Sequence, residues 1–274
     1  MPEIIRIDDP DDPAITGFVS IRERDLIRDH DSFIAEGTVV LTMLASARAR
    51  ANGFRPASLL ILENRLAGLA DLLDRLDPDV PVHVASQTVI DAIAGFHLHR
   101  GVLALGRKPP AATRRQLLAG LPETALVLAA CGISNHDNIG SMFRNAAAFG
   151  VDAVLLDETC CDPLYRKALR VSVGSVLAVP FCRSGQVVAL GQDLQASGFD
   201  LWGLSPRGKV DLRDLPAGGR VALLAGTEGQ GLPDSILDTI QTVRIAQSAD
   251  LDSLNVATAT GIALHAAAHA MGKI

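Results

Sequence analysis

The sequence predicts a two-part α/β protein, with a small α/β domain followed by a mostly parallel sheet that carries helices on both faces. Three observations support this. From Phe33 onward, short apolar runs alternate with longer stretches of helical texture, a pattern that calls for crossover connections. The run Ala125–Cys131 is apolar throughout, as in a strand covered on both faces. Between the two regions lies the basic, proline-bearing stretch Lys108-Pro-Pro-Ala-Ala-Thr-Arg-Arg115, a stiff spacer. The expected boundaries are residues 1–107 for the first domain, 108–120 for the linker and 121–274 for the second domain.

Taken in order, residues 1–17 are acidic and proline-bearing with little periodicity, which reads as an extended or loosely docked arm. A short charged helix is expected over residues 18–30. Strands are then predicted at 33–37, 58–62, 80–85 and 101–105, and helices at 39–51, 67–76 and 88–95. In the second domain the strand candidates are 125–131, 153–156, 176–179, 201–204, 221–225 and 243–246. Helices are expected at 141–149, 163–173, 187–196 and 233–240, with a terminal helix over 254–271 capped by Asp252 or Ser253. That last helix is rich in Ala and carries Gly261, so another backbone can approach it closely. Ligands of such sheets bind at the C-terminal ends of the strands.

Composition narrows the function classes. In 274 residues, hydrophobic residues make up 48% and aromatics 4%, so the core is aliphatic. No apolar run approaches a membrane span and the N-terminus lacks a signal-peptide pattern. Cys131, Cys160, Cys161 and Cys182 have no metal-knuckle or CxxC spacing and fit reduced thiols. The expectation is a cytoplasmic protein with no membrane and no metal partner. Net charge is −6, from 25 basic and 31 acidic residues, so any nucleic-acid contact must come from local basic clusters. Such clusters occur at His97, His99, Arg100, Arg107, Lys108, Arg114 and Arg115, and again at Arg166, Lys167 and Arg170.

Three stretches carry the chemistry. The first runs from Asn135 to Gly150 and contains Asn138-Ile-Gly140 with Arg144 following. The second, Leu223–Pro233, holds Gly226-Thr-Glu-Gly-Gln-Gly231 after an apolar strand. The third runs from Ala249 to His265 and contains Ser253-Leu-Asn-Val256. The second lacks the Lys-Ser/Thr of a phosphate-binding P-loop, and no GxGxxG follows the first strand, so a dinucleotide site is not indicated. Its glycines instead permit tight turns with free backbone groups.

In content and order these stretches resemble the three signature motifs of the SPOUT methyltransferases, and more closely the SpoU/TrmH branch, over roughly residues 125–270. The resemblance implies S-adenosylmethionine-dependent methyl transfer to a ribose 2′-hydroxyl of structured RNA, ribosomal more than transfer RNA. It also implies a deep trefoil knot and a homodimer formed through the C-terminal domain. By the same resemblance Asn138, Arg144, Ser253 and Asn255 are the catalytic candidates. Mechanisms proposed for the family include Arg144 as the base, but its high pKa and forked donors suit it instead to gripping the phosphate beside the target ribose. The methyl donor falls to Leu224, Ala225, Gly226, Thr227, Glu228, Gly229, Ile245, Ala246, Ser253, Leu254 and Asn255. RNA contacts are expected from Arg100, Arg107, Lys108, Arg114, Arg115, Arg166, Lys167 and Arg170. Phe33-Ile-Ala-Glu-Gly37 and Gly101–Leu105 look like landmarks of the ribosomal-protein-like substrate-binding domain that precedes many SpoU catalytic domains. The chain departs from the family pattern at Arg100, commonly Gln, at Asn135-His-Asp137, commonly Asp-Pro-Gly, and at Ile245-Ala-Gln247, commonly Ile-Pro-Met. A transfer-RNA methyltransferase, a non-catalytic knotted RNA-binding or assembly protein, and an unrelated α/β nucleotide enzyme are the alternatives.

Overall fold

The computed structural model describes residues 2–19, 23–94, 100–227, 229–248, 250 and 252–274. Its contacts divide into two compact units, Met1–Pro110 with Leu164–Ala178, and Ala111–Pro163 with Val179–Ile274.

The first unit contains β1 (Ile4–Ile7), α1 (Glu23–Asp29), β2 (Ser32–Glu36), α2 (Thr38–Leu44), α3 (Ala47–Ala51), β3 (Arg55–Leu62), α4 (Ala70–Leu73), β4 (Val82–Ala85), α5 (Gln87–Ala94) and β5 (Val102–Arg107). They form a sheet of order β1-β4-β3-β5-β2. β1, β4 and β3 run parallel, whereas β5 lies antiparallel to both β3 and β2.

Several expectations are corrected here. The N-terminal arm is an integral edge of the sheet, because Ile4–Ile7 pair in register with Val82–Ala85 and satisfy that strand's backbone groups. Ile15 and Phe18, on a 3-10 turn at Pro13–Phe18, join Ile7, Leu60 and Ile90 in one apolar cluster. The helix expected over 39–51 breaks into two. Ser46 accepts from the Ala49 amide and caps α3, a local bond that competes with helix continuation. The helix expected over 67–76 is a 3-10 turn, Glu63–Leu69, followed by the single turn of α4. Gly95, His97 and His99 lie outside the described residues.

The second unit contains α6 (Arg114–Ala119), β6 (Ala125–Ala130), α7 (His136–Ala148) and β7 (Ala153–Leu156). Residues 164–178, which carry α8 (Arg166–Val171), belong to the first unit. The second unit then resumes with β8 (Phe181–Arg183), α9 (Val187–Ala196), β9 (Asp200–Leu204), β10 (Val210–Asp211), β11 (Arg220–Ala225), α10 (Asp234–Leu237), β12 (Gln241–Arg244) and α11 (Val256–Ala270). Its sheet has the order β10-β12-β9-β11-β6-β7-β8, and every pairing is parallel. The central strands β6 and β11 are almost entirely inaccessible to solvent, so their sequences need no polar alternation.

Three sequence expectations shift in this region. The strand placed at 176–179 is a 3-10 turn, Ser175–Leu177, and the real strand is β8. Val173 and Gly174 take left-handed φ values of 49° and 82°, which turns the chain before Pro180 can lead it into β8. The stretch expected as a linker already begins a helix, since Thr113 and Gln116 form a capping box at α6. Residues 164–178, expected within the second domain, make their contacts in the first unit.

Candidate active site

Because β6, β9, β11 and β12 are parallel, the segments leaving their C-terminal ends emerge along one edge of the sheet, and the three motifs lie on those segments. Helix α7 starts earlier than expected. Asn135 caps it by accepting from the Asp137 amide at 2.9 Å, which places Asn138 and Gly140 inside the helix. Asn138 is only 6% exposed.

Asn255 is the N-cap of α11, which corrects the expected Asp252 or Ser253. Its Oδ1 accepts from the amides of Ala257 and Thr258 at 3.0 and 3.2 Å, satisfying two of the helix's free donors. The same side chain uses Nδ2 to donate to Asn138 Oδ1 at 3.0 Å. The first and third motifs are therefore joined directly, amide to amide. Two turns further along α7, Asn145 Nδ2 donates to the Ala257 carbonyl at 2.8 Å. A Cβ on Gly261 would lie 2.9 Å from that Nδ2, so the small residue there is what allows the helices to meet. Ser253 is exposed and Leu254 half-buried just before the cap.

The second motif closes on itself. Thr227 and Gly231 exchange backbone hydrogen bonds at 3.1 and 3.0 Å, and a Cβ on Gly226 would fall 2.3 Å from the Gly231 carbonyl group. Gly229 and Gly231 have φ of 108° and 72°, a region costly for other residues. Leu224 and Ala225 are buried at the end of β11, Ile245 is half-buried and Ala246 exposed. The last two follow β12, which ends at Arg244 and not, as expected, at Ala246. Glu228 lies outside the described residues.

Asp157, at the exit of β7, was not among the expected site residues. It is 4% exposed and its Oδ1 accepts from the amides of Gly132, Thr159 and Cys160 and from the Thr159 hydroxyl. Gly132, with φ 69°, in turn leaves no room for a Cβ, which would lie 2.4 Å from Thr227 Cγ2. Asp157 thus ties the exit of β7 to the exit of β6, just before the first motif and against the second. Its sequence signal is an aspartate ending an apolar strand with a threonine two residues on. Beside it, burial pushes the Cys131 thiol up to about 12 and holds Cys160 well above the usual thiol range. Neither is a nucleophile at neutral pH. Among the described residues no group of three or more His, Cys, Asp or Glu side chains could hold a metal ion.

The expected RNA-contacting cations fall into two groups. Lys108 pairs with Asp31, Arg114 and Arg115 with Asp193, Arg166 with Glu23 and Arg170 with Glu36. Arg114 is 10% exposed and also donates to the Ser184 carbonyl, so its guanidinium is committed to the fold, which corrects its expected role. Arg166 and Arg170 are likewise engaged within the first unit. Arg107 and Lys167 are exposed, and Arg100 lies over the backbone of Gly37, whose Cβ would be 3.1 Å from its Cδ. Arg144 is exposed on α7 and, among the described residues, makes no hydrogen bond or ion pair.

With this geometry in hand, comparison with known proteins gives a consistent result. Residues 125–265 match the model of the SpoU rRNA Methylase family. An uncharacterized tRNA/rRNA methyltransferase of Mycobacterium tuberculosis is 40% identical over 266 residues, covering 94% of this chain and 89% of that protein. The 23S rRNA (guanosine-2′-O-)-methyltransferase RlmB of Xanthomonas campestris is 30% identical over 190 residues, covering 68% and 76%. An AdoMet-bound rRNA methyltransferase from Sinorhizobium meliloti has a similar fold, with a TM-score of 0.79 and 23% identity over 97% of this chain and 98% of that one. The motifs joined at Asn138 and Asn255 lie within the matched region, and the chain belongs to the SpoU rRNA methylase family.

Proposed function

We propose that this chain is an S-adenosylmethionine-dependent RNA 2′-O-methyltransferase acting on structured RNA, ribosomal in preference to transfer RNA. The observation that carries the reading is the hydrogen bond from Asn255 to Asn138 that joins the first and third motifs, on the helix where exposed Arg144 makes no hydrogen bond or ion pair among the described residues.

The donor would be held by Leu224–Gly229, by Ile245 and Ala246, and by Ser253, Leu254 and Asn255; Glu228 is included on the family motif alone. The residues present fit such a group. Glycines at 226, 229 and 231 leave three of the six loop positions without a side chain, and Gly226 admits nothing larger against the Gly231 carbonyl. When bound, S-adenosylmethionine supplies an electrophilic methyl group on a sulfonium sulfur. The protein's task is then alignment of the ribose oxygen and removal of its proton. Arg144 offers a forked pair of N–H donors to the phosphate next to the target ribose. A guanidinium is a poor base, because its pKa is too high, so the proton leaves to phosphate or water. Asn138 and Asn255 hold α7 and α11 so that Arg144 and the donor loops keep their spacing.

The reading includes a homodimer through the second unit and threading of α11 as a trefoil knot. In support of the dimer, Thr258, Ile262, His265 and His269 line one exposed face of α11, and Ile262 is 41% exposed. Phe149 stacks edge-on against His265 at 5.5 Å. Such a face fits burial against a second copy. The first unit is read as the RNA-holding domain, and its separate sheet favours a large structured RNA.

Mapping of 2′-O-methyl sites in RNA from cells with and without the gene tests substrate and activity together. A site lost on deletion and restored on complementation is the expected outcome, and its position in ribosomal or transfer RNA decides the substrate. Titration calorimetry with S-adenosylmethionine is the companion measurement. No binding by folded protein would favour a non-catalytic RNA-binding role.

A further inference from the structure

The acidic second unit must meet an anionic substrate with few cations. Within its described residues, Arg114, Arg115, Arg213 and Lys273 pair with carboxylates. Arg183, Arg220 and Arg244 donate to backbone carbonyls. Only Arg144, Arg207 and Lys209 keep side chains without a hydrogen bond or ion pair among the described residues. Arg144 is already assigned above. Arg207 and Lys209 are both exposed and stand on one turn, residues 205–209, which leaves the C-terminal end of β9.

That position is specific. In the sheet β9 lies between β12 and β11, so this turn emerges between the segments beginning at Ile245 and at Gly226, the two expected to hold the donor. It is also rigidly built. The Gly208 amide donates to the Ser205 carbonyl at 2.9 Å, the Arg207 amide to Ser205 Oγ at 3.3 Å, and the Lys209 amide to Thr242 Oγ1 at 3.2 Å. Gly208 is buried, and a Cβ there would sit 2.4 Å from the Val243 carbonyl carbon. Arg244 Nη1 donates to the carbonyls of Gly208 and Lys209 at 3.0 and 3.3 Å. Two of the turn's acceptors are thereby covered by a third cation, while Arg207 and Lys209 are exposed. The nearby carboxylate of Asp211 is already held by Arg213.

We infer that residues 205–209 form a phosphate-binding turn for the RNA backbone, with Arg207 and Lys209 as its contacting side chains. The inference rests on the reading of this chain as an RNA-acting enzyme. It assigns the turn to positioning of the strand near the donor loops, independently of sequence, since phosphate contacts carry no base information.

The test compares the full-length protein with an Arg207→Gln/Lys209→Gln variant. Binding to in-vitro-transcribed large-subunit ribosomal RNA is measured across salt concentrations, alongside titration with S-adenosylmethionine. Loss of two phosphate contacts should lower the slope of log affinity against log salt by about 1.4–1.8 and weaken binding roughly tenfold or more at low salt. Donor affinity should be unchanged. An unchanged slope with wild-type RNA affinity overturns the site. A fall in donor affinity with an unchanged slope also overturns it and assigns the turn to the donor's carboxylate. Acetylation of Lys209 in the wild-type protein, read by mass spectrometry, gives a second measurement that no folding defect can blur. The RNA should protect Lys209 and S-adenosylmethionine alone should not; equal labelling with and without bound RNA counts against the site. Both measurements read binding, so they stand even where the wild-type protein transfers no methyl group, a result that would count against the enzymatic reading alone. Wild-type protein that binds no RNA overturns both.

Discussion

Arg170 in the first unit and Arg144 in the second both stand on helices, and in the sequence both look like phosphate ligands. Their surroundings separate them. Arg170 reaches Glu36, which is only 8% exposed on β2, and a buried carboxylate without its cation is costly. Arg144 is exposed and, among the described residues, makes no ion pair. A guanidinium's role is therefore decided by whether a carboxylate stands opposite, and that is a property of packing. Packing likewise decides what the asparagines touch, since Asn255 donates to Asn138 while capping α11.

The largest expected effect comes from the loop on which the donor reading depends. Gly226→Val places side-chain atoms on the Gly231 carbonyl and should cost about 3 kcal/mol or abolish donor binding; calorimetry and thermal unfolding measure it. Near-wild-type donor affinity would remove this loop from the site. Next, Arg144→Ala should lower single-turnover methyl transfer by about one to two decades, equivalent to roughly 1.5–3 kcal/mol, with donor affinity and melting temperature near wild type. Arg144→Lys should fall between, because it keeps the charge and loses the fork.

Arg170→Met inverts that pattern and sharpens the comparison. It should destabilise the protein by about 2 kcal/mol, discounted for the partly exposed guanidinium, and Glu36→Gln in the same chain should restore most of the loss. If Arg170→Met instead leaves stability intact and weakens RNA binding alone, the two arginines are alike after all. Asn255→Asp is a subtler change. The carboxylate still caps α11 and suits its positive end, but it cannot donate to Asn138. Stability should drop by about 1 kcal/mol, with a larger proportional loss in donor affinity, read by the same two assays.

The smallest effect concerns pH and separates the units. His83, 2% exposed on β4, is held below the usual histidine range by burial, partly offset by Asp12. With the folded value depressed, the unfolded chain binds the extra proton. Stability is then complete above about pH 6.5 and falls as pH drops below it. Melting temperatures at pH 7.5 and 5.5 should differ less in His83→Leu than in wild type. An identical pH dependence would assign the loss to other groups.

Much of this protein was legible from sequence because its signals are local. Ala125–Ala130 is apolar throughout because both faces of β6 are covered, and α9 spans the residues its periodicity indicates. The glycines of the β11 loop announce a turn that only glycine can make, and the spacing of Asn138, Gly226 and Asn255 carries the family. Tertiary structure decided what depends on partners distant along the chain. Ile4–Ile7 became a strand because Val82–Ala85 offered an unpaired edge. Residues 164–178 joined the first unit because Glu23 and Glu36 face Arg166 and Arg170 there. Asn255 became both a helix cap and a bridge to Asn138, 117 positions away. Residue type specifies how many bonds a group can make, but which of its possible partners lies within 3 Å is settled only when the chain has packed.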